Sequence, residues 1–218
     1  MSTHIRTVLF DLDGTLADTA PDLAWALNQL LKEQGCAPLP FETIRPVVSH
    51  GGLALIKLGF GIDEQAPVFQ ALRERLLAIY RENIARETCL FDGMHELLTR
   101  LEETGLNWGV VTNKPAWLTE PLLDALGLSQ RSATTISGDT LPQRKPHPAP
   151  MLLACRQAGS EPAQCLYLGD AERDVQAGRK AGMRTLIAGF GYLGEQDQPQ
   201  SWGADGIIGH PLELLDYL

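Results

Sequence analysis

The sequence predicts a doubly wound α/β domain built on a parallel sheet, with a small helical domain inserted into it. Two observations carry this. Short β-branched or aliphatic runs ending in Gly, Asp, Thr or Asn alternate with longer amphipathic stretches, the pattern of repeated βα units. Residues 11–107 then separate the first such run from the second, far more chain than a single crossover helix needs.

Taken in order, the strands fall at residues 7–10, 108–112, 134–137, 165–168, 184–188 and 206–208. Helices fill most of the gaps, at residues 94–104, 118–126, 149–158 and 175–181, each with an early cap or Pro and a Gly near its end. The long first gap has no convincing strand. It shows helical patterns at residues 22–34, 52–58 and 66–86, the last with Val68, Phe69, Leu72, Leu76, Leu77 and Tyr80 on one face. Residues 21–86 therefore read as a helical cap domain, and residues 1–20 with 87–218 as the α/β core domain. Two connections between them make a natural hinge.

Composition narrows the function. A chain of 218 residues with 44% hydrophobic and 21% charged residues is long and apolar enough for one good core. A net charge of -9, with no Lys/Arg run, argues against a nucleic-acid partner, because phosphate contacts need clustered cations. Cys36, Cys89, Cys155 and Cys165 show no CxxC spacing, so they read as reduced thiols of a cytoplasmic protein. Residues 1–6 form a short polar lead-in, and no stretch approaches the ~20 apolar residues that span a bilayer, so neither export nor a membrane partner is expected. Monomer and homodimer are equally compatible with the sequence.

Four motifs sit at predicted strand ends, where open α/β sheets bind their ligands. The first is Asp11-Leu12-Asp13-Gly14-Thr15-Leu16. Residues two apart on an extended chain project to one side, so Asp11 and Asp13 can address one ligand, and Gly14 permits the turn after them. The second, Val110-Val111-Thr112-Asn113-Lys114-Pro115, offers a hydroxyl and an amide to a phosphate just before a helix. In the third, Lys145 stands between Arg144 and Pro146 ahead of a helix, placed to neutralise a carboxylate and a transferring phosphoryl group together. The fourth, Gly169-Asp170-Ala171-Glu172-Arg173-Asp174, puts Asp170 where a hard cation finds oxygen ligands and Asp174 one helical turn away. Each motif has an ordinary alternative, as a strand terminator, an N-cap or a solvated loop residue. Their shared position and chain order point to one site.

In that order and spacing the four motifs resemble the haloacid dehalogenase superfamily of phosphohydrolases, over essentially the whole chain. The resemblance implies a Rossmann-like core with a small helical cap. It implies that Asp11 is the nucleophile forming an aspartyl-phosphate and Asp13 the general acid and base. It further implies that Mg²⁺ is held by Asp11, the backbone carbonyl of Asp13 and Asp170, with Asp174 in support, and that Thr112, Asn113 and Lys145 bind phosphate. Asp13 separates phosphatases from the dehalogenases, which lack this second carboxylate.

A narrower resemblance, through Asp18-Thr19-Ala20-Pro21-Asp22-Leu23 and Gly178-Arg179-Lys180-Ala181-Gly182-Met183, is to the phosphoglycolate phosphatase-like group. Val48-Ser49-His50-Gly51-Gly52, Phe91-Asp92-Gly93-Met94 and the stretch from Gly191 to Leu214 are similar to members of that group acting on a cell-wall amino sugar. The partner implied is a small phosphate ester, with N-acetylmuramic acid 6-phosphate and 2-phosphoglycolate as candidates. Arg45, Ser49 and His50, in a polar Gly-rich loop of the cap, are the expected substrate contacts, with Arg45 pairing a substrate carboxylate. A phosphomutase and a non-catalytic binding protein on the same fold are the alternatives.

Overall fold

The computed structural model describes residues 4–218; residues 1–3, part of the polar lead-in and of the expected core domain, lie outside the described residues. In chain order the strands are β1 (Thr7–Phe10), β2 (Ala17–Asp18), β3 (Cys89–Leu90), β4 (Asn107–Val111), β5 (Thr135–Ile136), β6 (Cys165–Gly169), β7 (Arg184–Ala188) and β8 (Gly206–Ile208). The helices are α1 (Ala20–Glu33), α2 (Phe41–Ile44), α3 (Gly51–Phe60), α4 (Phe69–Glu82), α5 (Met94–Glu103), α6 (Ala116–Ala125), α7 (Ala149–Gln157) and α8 (Glu172–Ala181).

Six strands form a parallel sheet in the order β5-β4-β1-β6-β7-β8. The central strands β1 and β6 are buried along their whole length, which is why they read as unbroken apolar runs rather than alternating ones. From β1 the chain first builds outward to β4 and β5, then returns to add β6, β7 and β8 on the other side. The carboxyl end of β1 is therefore the reversal point of the winding, where a crevice opens in such sheets. Two apolar layers cover the sheet. One joins Val8, Phe10 and Val110 to Leu97 and Leu101 of α5, and the other joins Leu9, Val111 and Tyr167 to Met151 of α7 and Ala177 of α8.

Helices α1 to α4 share a separate cluster built on Leu27, Leu30, Leu55, Ile56, Leu76 and Tyr80. It reaches the sheet side through Leu118 and Tyr192. Three details differ from the sequence reading. The chain leaving and re-entering the sheet pairs as an antiparallel ribbon, Asp18 opposite Cys89, strands too short to show a periodicity. The buried Asp22 carboxylate fastens the same junction by accepting from the Glu87 and Thr88 backbone N–H groups and the Thr88 hydroxyl. The expected loop around Arg45 to Gly51 is instead α2 followed by a 3₁₀ turn over Arg45–His50, leading directly into α3. Pro46 near the start of that turn supplies a pre-set φ, a helical signal inside a polar stretch. Helix α8 begins at Glu172, three residues before the expected start, because the Asp174 carboxylate caps it by accepting from the Ala171 N–H. No described helix is long and apolar enough to cross a membrane.

Candidate active site

Asp11 follows β1 directly, and its N–H bonds the Leu168 carbonyl of β6, so the sheet ladder itself fixes its position. The carboxylate is almost wholly buried. Its Oδ1 accepts from the Leu12 N–H at 2.8 Å and faces Lys145 Nζ at 2.9 Å, while Arg173 stands 4.0 Å from Oδ2. Burial alone raises the pKa of such a group. Here the Lys145 and Arg173 charges outweigh it, and Asp11 is held below the usual carboxylate value as an available anion.

Lys145 is fully buried, with Asp174 Oδ1 at 2.7 Å, the Val111 carbonyl at 2.8 Å and the Tyr167 hydroxyl at 2.8 Å besides Asp11. The Tyr167 hydroxyl in turn donates to Val111. Such a net fixes the ammonium to well under the freedom of a loop lysine. Asn113 explains how the loop is held: its amide donates to the Lys145 carbonyl and accepts from the Lys145 N–H. These bonds give the Asn113 amide a positioning role, and Thr112 Oγ1 accepts from the Lys114 N–H; both residues line the cavity.

Asp13 is different in character. Its Oδ1 accepts from the Thr19 hydroxyl at 2.6 Å and from Lys114 Nζ at 2.8 Å. No hydrogen bond reaches its Oδ2 among the described residues, and that oxygen belongs to a side chain left 17% exposed beside the cavity. Lys114 is buried under the ring of Tyr80 from α4, 4.5 Å from its centroid. Burial would lower the Lys114 pKa, but Asp13 outweighs it and keeps the lysine charged. The same burial pushes the Tyr80 phenol up to about 12.

Asp11, Asp170 and Asp174 bring carboxylate oxygens within 4.8 Å of one another. Asp170 Oδ2 accepts from the Ser49 hydroxyl at 2.5 Å and from the Tyr192 N–H at 3.0 Å, but its Oδ1 is buried with no hydrogen bond. Burial and the neighbouring Asp11 and Asp174 charges push Asp170 up to about 7. Three buried carboxylates around an oxygen without a partner are a set completed by a hard divalent cation, which takes oxygen ligands and offsets their repulsion. The residues present therefore fit Mg²⁺. The Asp13 carboxylate stands outside this trio. Two glycines make room for the cluster: a Cβ at Gly14, where φ is 81°, would lie 2.2 Å from Asp170 Oδ2, and one at Gly169 would lie 2.4 Å from Asp174 Cβ.

These groups open into a cavity of about 410 Å³ between the sheet and helices α3 and α4. Ser49 and His50 line it. His50 is lowered in pKa by burial and by Arg173. Arg45 does not line it: its guanidinium donates to the Gly191 carbonyl and lies over the Tyr192 ring, 4.9 Å from the centroid. The substrate-carboxylate role expected of Arg45 finds no support in that placement, since aromatic stacking and a carbonyl already occupy the fork. Sequence reasoning passed over Lys114, Arg173, Tyr167 and Arg73. The first two lie inside quoted motifs, where a cation two residues after Thr112 or three after Asp170 was a usable signal; Tyr167 and Arg73 sit in ordinary strand and helix patterns with none.

The match of this arrangement to known proteins is extensive. A profile described as haloacid dehalogenase-like hydrolase matches residues 8–188. An N-acetylmuramic acid 6-phosphate phosphatase from Pseudomonas putida is 44% identical over 211 residues, covering 97% of this chain and 95% of that one. A phosphoglycolate phosphatase from Xanthomonas campestris pv. campestris shares the same 44% identity and the same coverage. A crystal structure described as a predicted phosphoglycolate phosphatase from Haemophilus somnus superposes with a TM-score of 0.87 at 27% identity, covering 98% of this chain and 97% of that one. The chain belongs to the haloacid dehalogenase-like hydrolase family.

Proposed function

We propose that this chain is a Mg²⁺-dependent phosphomonoesterase that works through an aspartyl-phosphate, with N-acetylmuramic acid 6-phosphate ahead of 2-phosphoglycolate as substrate. The observation that carries it is the pair Asp11 and Asp13: one carboxylate kept anionic by Lys145 at the reversal point of the sheet, the other presenting an oxygen without a partner beside the same cavity.

Asp11 attacks phosphorus, the bond from phosphorus to the ester oxygen breaks, and that oxygen takes a proton from Asp13. Asp13 then removes a proton from water as the water attacks the aspartyl-phosphate, releasing inorganic phosphate and restoring Asp11 as the carboxylate and Asp13 as the acid. Asp11, Asp170 and Asp174, with the Asp13 carbonyl, would hold Mg²⁺, which supplies positive charge against the phosphoryl oxygens. Lys145 adds a fixed cation on the Asp11 side, and Thr112 a hydroxyl. Residues 21–86 act as the cap and residues 1–20 with 87–218 as the core. The four free cysteines fit a reducing, cytoplasmic setting.

The substrate preference rests on two supports: the 44% identity to a phosphatase named for the amino-sugar ester, and a cavity of about 410 Å³, within the ~300–1,000 Å³ range of sites for larger organic ligands and generous for a two-carbon acid. The test is acid quench after mixing with ³²P-labelled N-acetylmuramic acid 6-phosphate. Label retained on the protein, and lost in Asp11→Asn, is expected; an Asp11→Asn enzyme that releases phosphate at the unmodified rate overturns the reading.

A further inference from the structure

We propose that Arg73 of α4 is the specificity residue that reads a carboxylate on the leaving group, and that the cavity selects phosphate esters whose carboxylate lies far from the ester oxygen. This rests on the phosphatase reading above and deepens it.

The cavity is lined by five cations, and three are already committed. Lys145 pairs with Asp11 and Asp174, Lys114 with Asp13, and Arg173 donates to the Ser49 carbonyl near Asp11. Arg144 is exposed at the rim. Arg73 is half-buried, has no ion pair or hydrogen bond among the described residues, and its Nε is a buried atom without a partner. Other arginines of the same helix are satisfied: Arg75 is bidentate to Glu33 and Arg81 stacks on Trp117. A buried guanidinium N–H left unpaired is costly, so a site that keeps one is built for an acceptor brought by the ligand. A guanidinium fork matches a carboxylate bidentately, and both carboxylates lining the cavity, Asp11 and Asp13, are already paired elsewhere.

Placement on the helix sets the length of the ligand. Arg73, Leu77 and Tyr80 share one face of α4 and all line the cavity. Tyr80 lies over Lys114, which holds Asp13, so it marks the end of the cavity where the ester oxygen is protonated. Arg73 stands seven positions earlier, about 10 Å along the axis. Its stem is settled against the first turn of α3, where a Cβ at Gly52 would lie 3.7 Å from Arg73 Cγ and 3.3 Å from Leu77 Cδ2. In 2-phosphoglycolate the carboxyl carbon is two bonds from the ester oxygen, too near to span the gap. In a sugar 6-phosphate bearing a lactyl ether on O3 the carboxyl carbon is seven bonds from the ester oxygen, which reaches along the helix with the ring against Leu77.

The test compares N-acetylmuramic acid 6-phosphate with N-acetylglucosamine 6-phosphate, which lacks only the lactyl group, on the full-length enzyme and on Arg73→Gln, Arg73→Lys and Arg144→Gln. Arg73→Gln is expected to collapse the ratio of the two kcat/KM values by about 10²-fold, chiefly through KM for the acid, with Arg73→Lys intermediate because it keeps the charge and loses the fork. Arg144→Gln is expected to keep the ratio. Equal losses on both sugars in Arg73→Gln, or a ratio carried by Arg144, overturn the assignment while leaving the phosphatase reading intact. An unmodified enzyme that turns over neither sugar but hydrolyses 2-phosphoglycolate overturns the assignment alone, and one that hydrolyses none of the three overturns both.

Discussion

The two walls of the cavity differ in how completely their polar groups are satisfied. On the sheet side, Asp11, Lys145 and Asp174 are buried and locked to one another and to the Val111 carbonyl. On the helical side, among the described residues, Arg73 has a buried N–H with no partner and His50 makes no hydrogen bond to another side chain. The proposed Mg²⁺ belongs to the first wall and the proposed leaving-group contact to the second. On the proposed function, chemistry belongs to the sheet and choice of leaving group to the helices, because groups that act on every substrate can be fixed in advance, whereas groups that read a variable part cannot.

The largest effect expected on this division is from Asp11→Asn, which should lower kcat by at least ~10⁴-fold with far-UV circular dichroism unchanged, for any phosphate ester offered. Lys145→Met should follow. It strands Asp11 and Asp174 as buried carboxylates and should cost about 3–5 kcal/mol in urea unfolding, with stability that Mg²⁺ restores more strongly than in the unmodified protein. Lys114→Met frees Asp13 from its cation and should reduce kcat by ~10²-fold with KM little changed, separating a proton-transfer defect from a binding one. Leu77→Ala, on the helical wall, should do the reverse, raising KM about 10-fold for the amino sugar at nearly constant kcat.

The smallest effect concerns pH. His50 is lowered from 6.5 by burial first and Arg173 second, so below that value the unfolded chain holds more protons than the folded one. The His50 contribution to stability should therefore fall as the solution is acidified through 6.5 towards the lowered value, against the opposite contribution of Asp170, so His50→Gln should shift the slope towards gaining stability on acidification. Chemical denaturation at a series of pH values reads it, and an unchanged slope in the variant removes His50 as its source.

The same contrast explains what the sequence made legible. Asp11, Asp13, Lys145, Asp170 and Asp174 stand at strand ends, where a short apolar run followed by Gly, Asp or Lys marks a position in the fold and a chemistry at once. Sheet-side strands could be placed for the same reason, β1 and β6 being unbroken apolar runs. The helical wall gave no such mark. Arg73 differs from its neighbour Arg75 only in which way the helix turns it, and Arg45 looked equally available until Tyr192, distant in sequence, was found beneath it. The bonds of the Asn113 amide to the Lys145 backbone could not be read from the sequence either. Pairings of this kind depend on tertiary approach, which periodicity does not encode.

The most direct measurement is phosphate release from N-acetylmuramic acid 6-phosphate and 2-phosphoglycolate side by side, at saturating Mg²⁺ and again with chelator. Release that chelator abolishes, with the higher kcat/KM on the amino sugar, is the expected result. Release indifferent to chelator would contradict the metal trio of Asp11, Asp170 and Asp174, and faster turnover of the two-carbon acid would contradict a cavity built to hold a distant carboxylate.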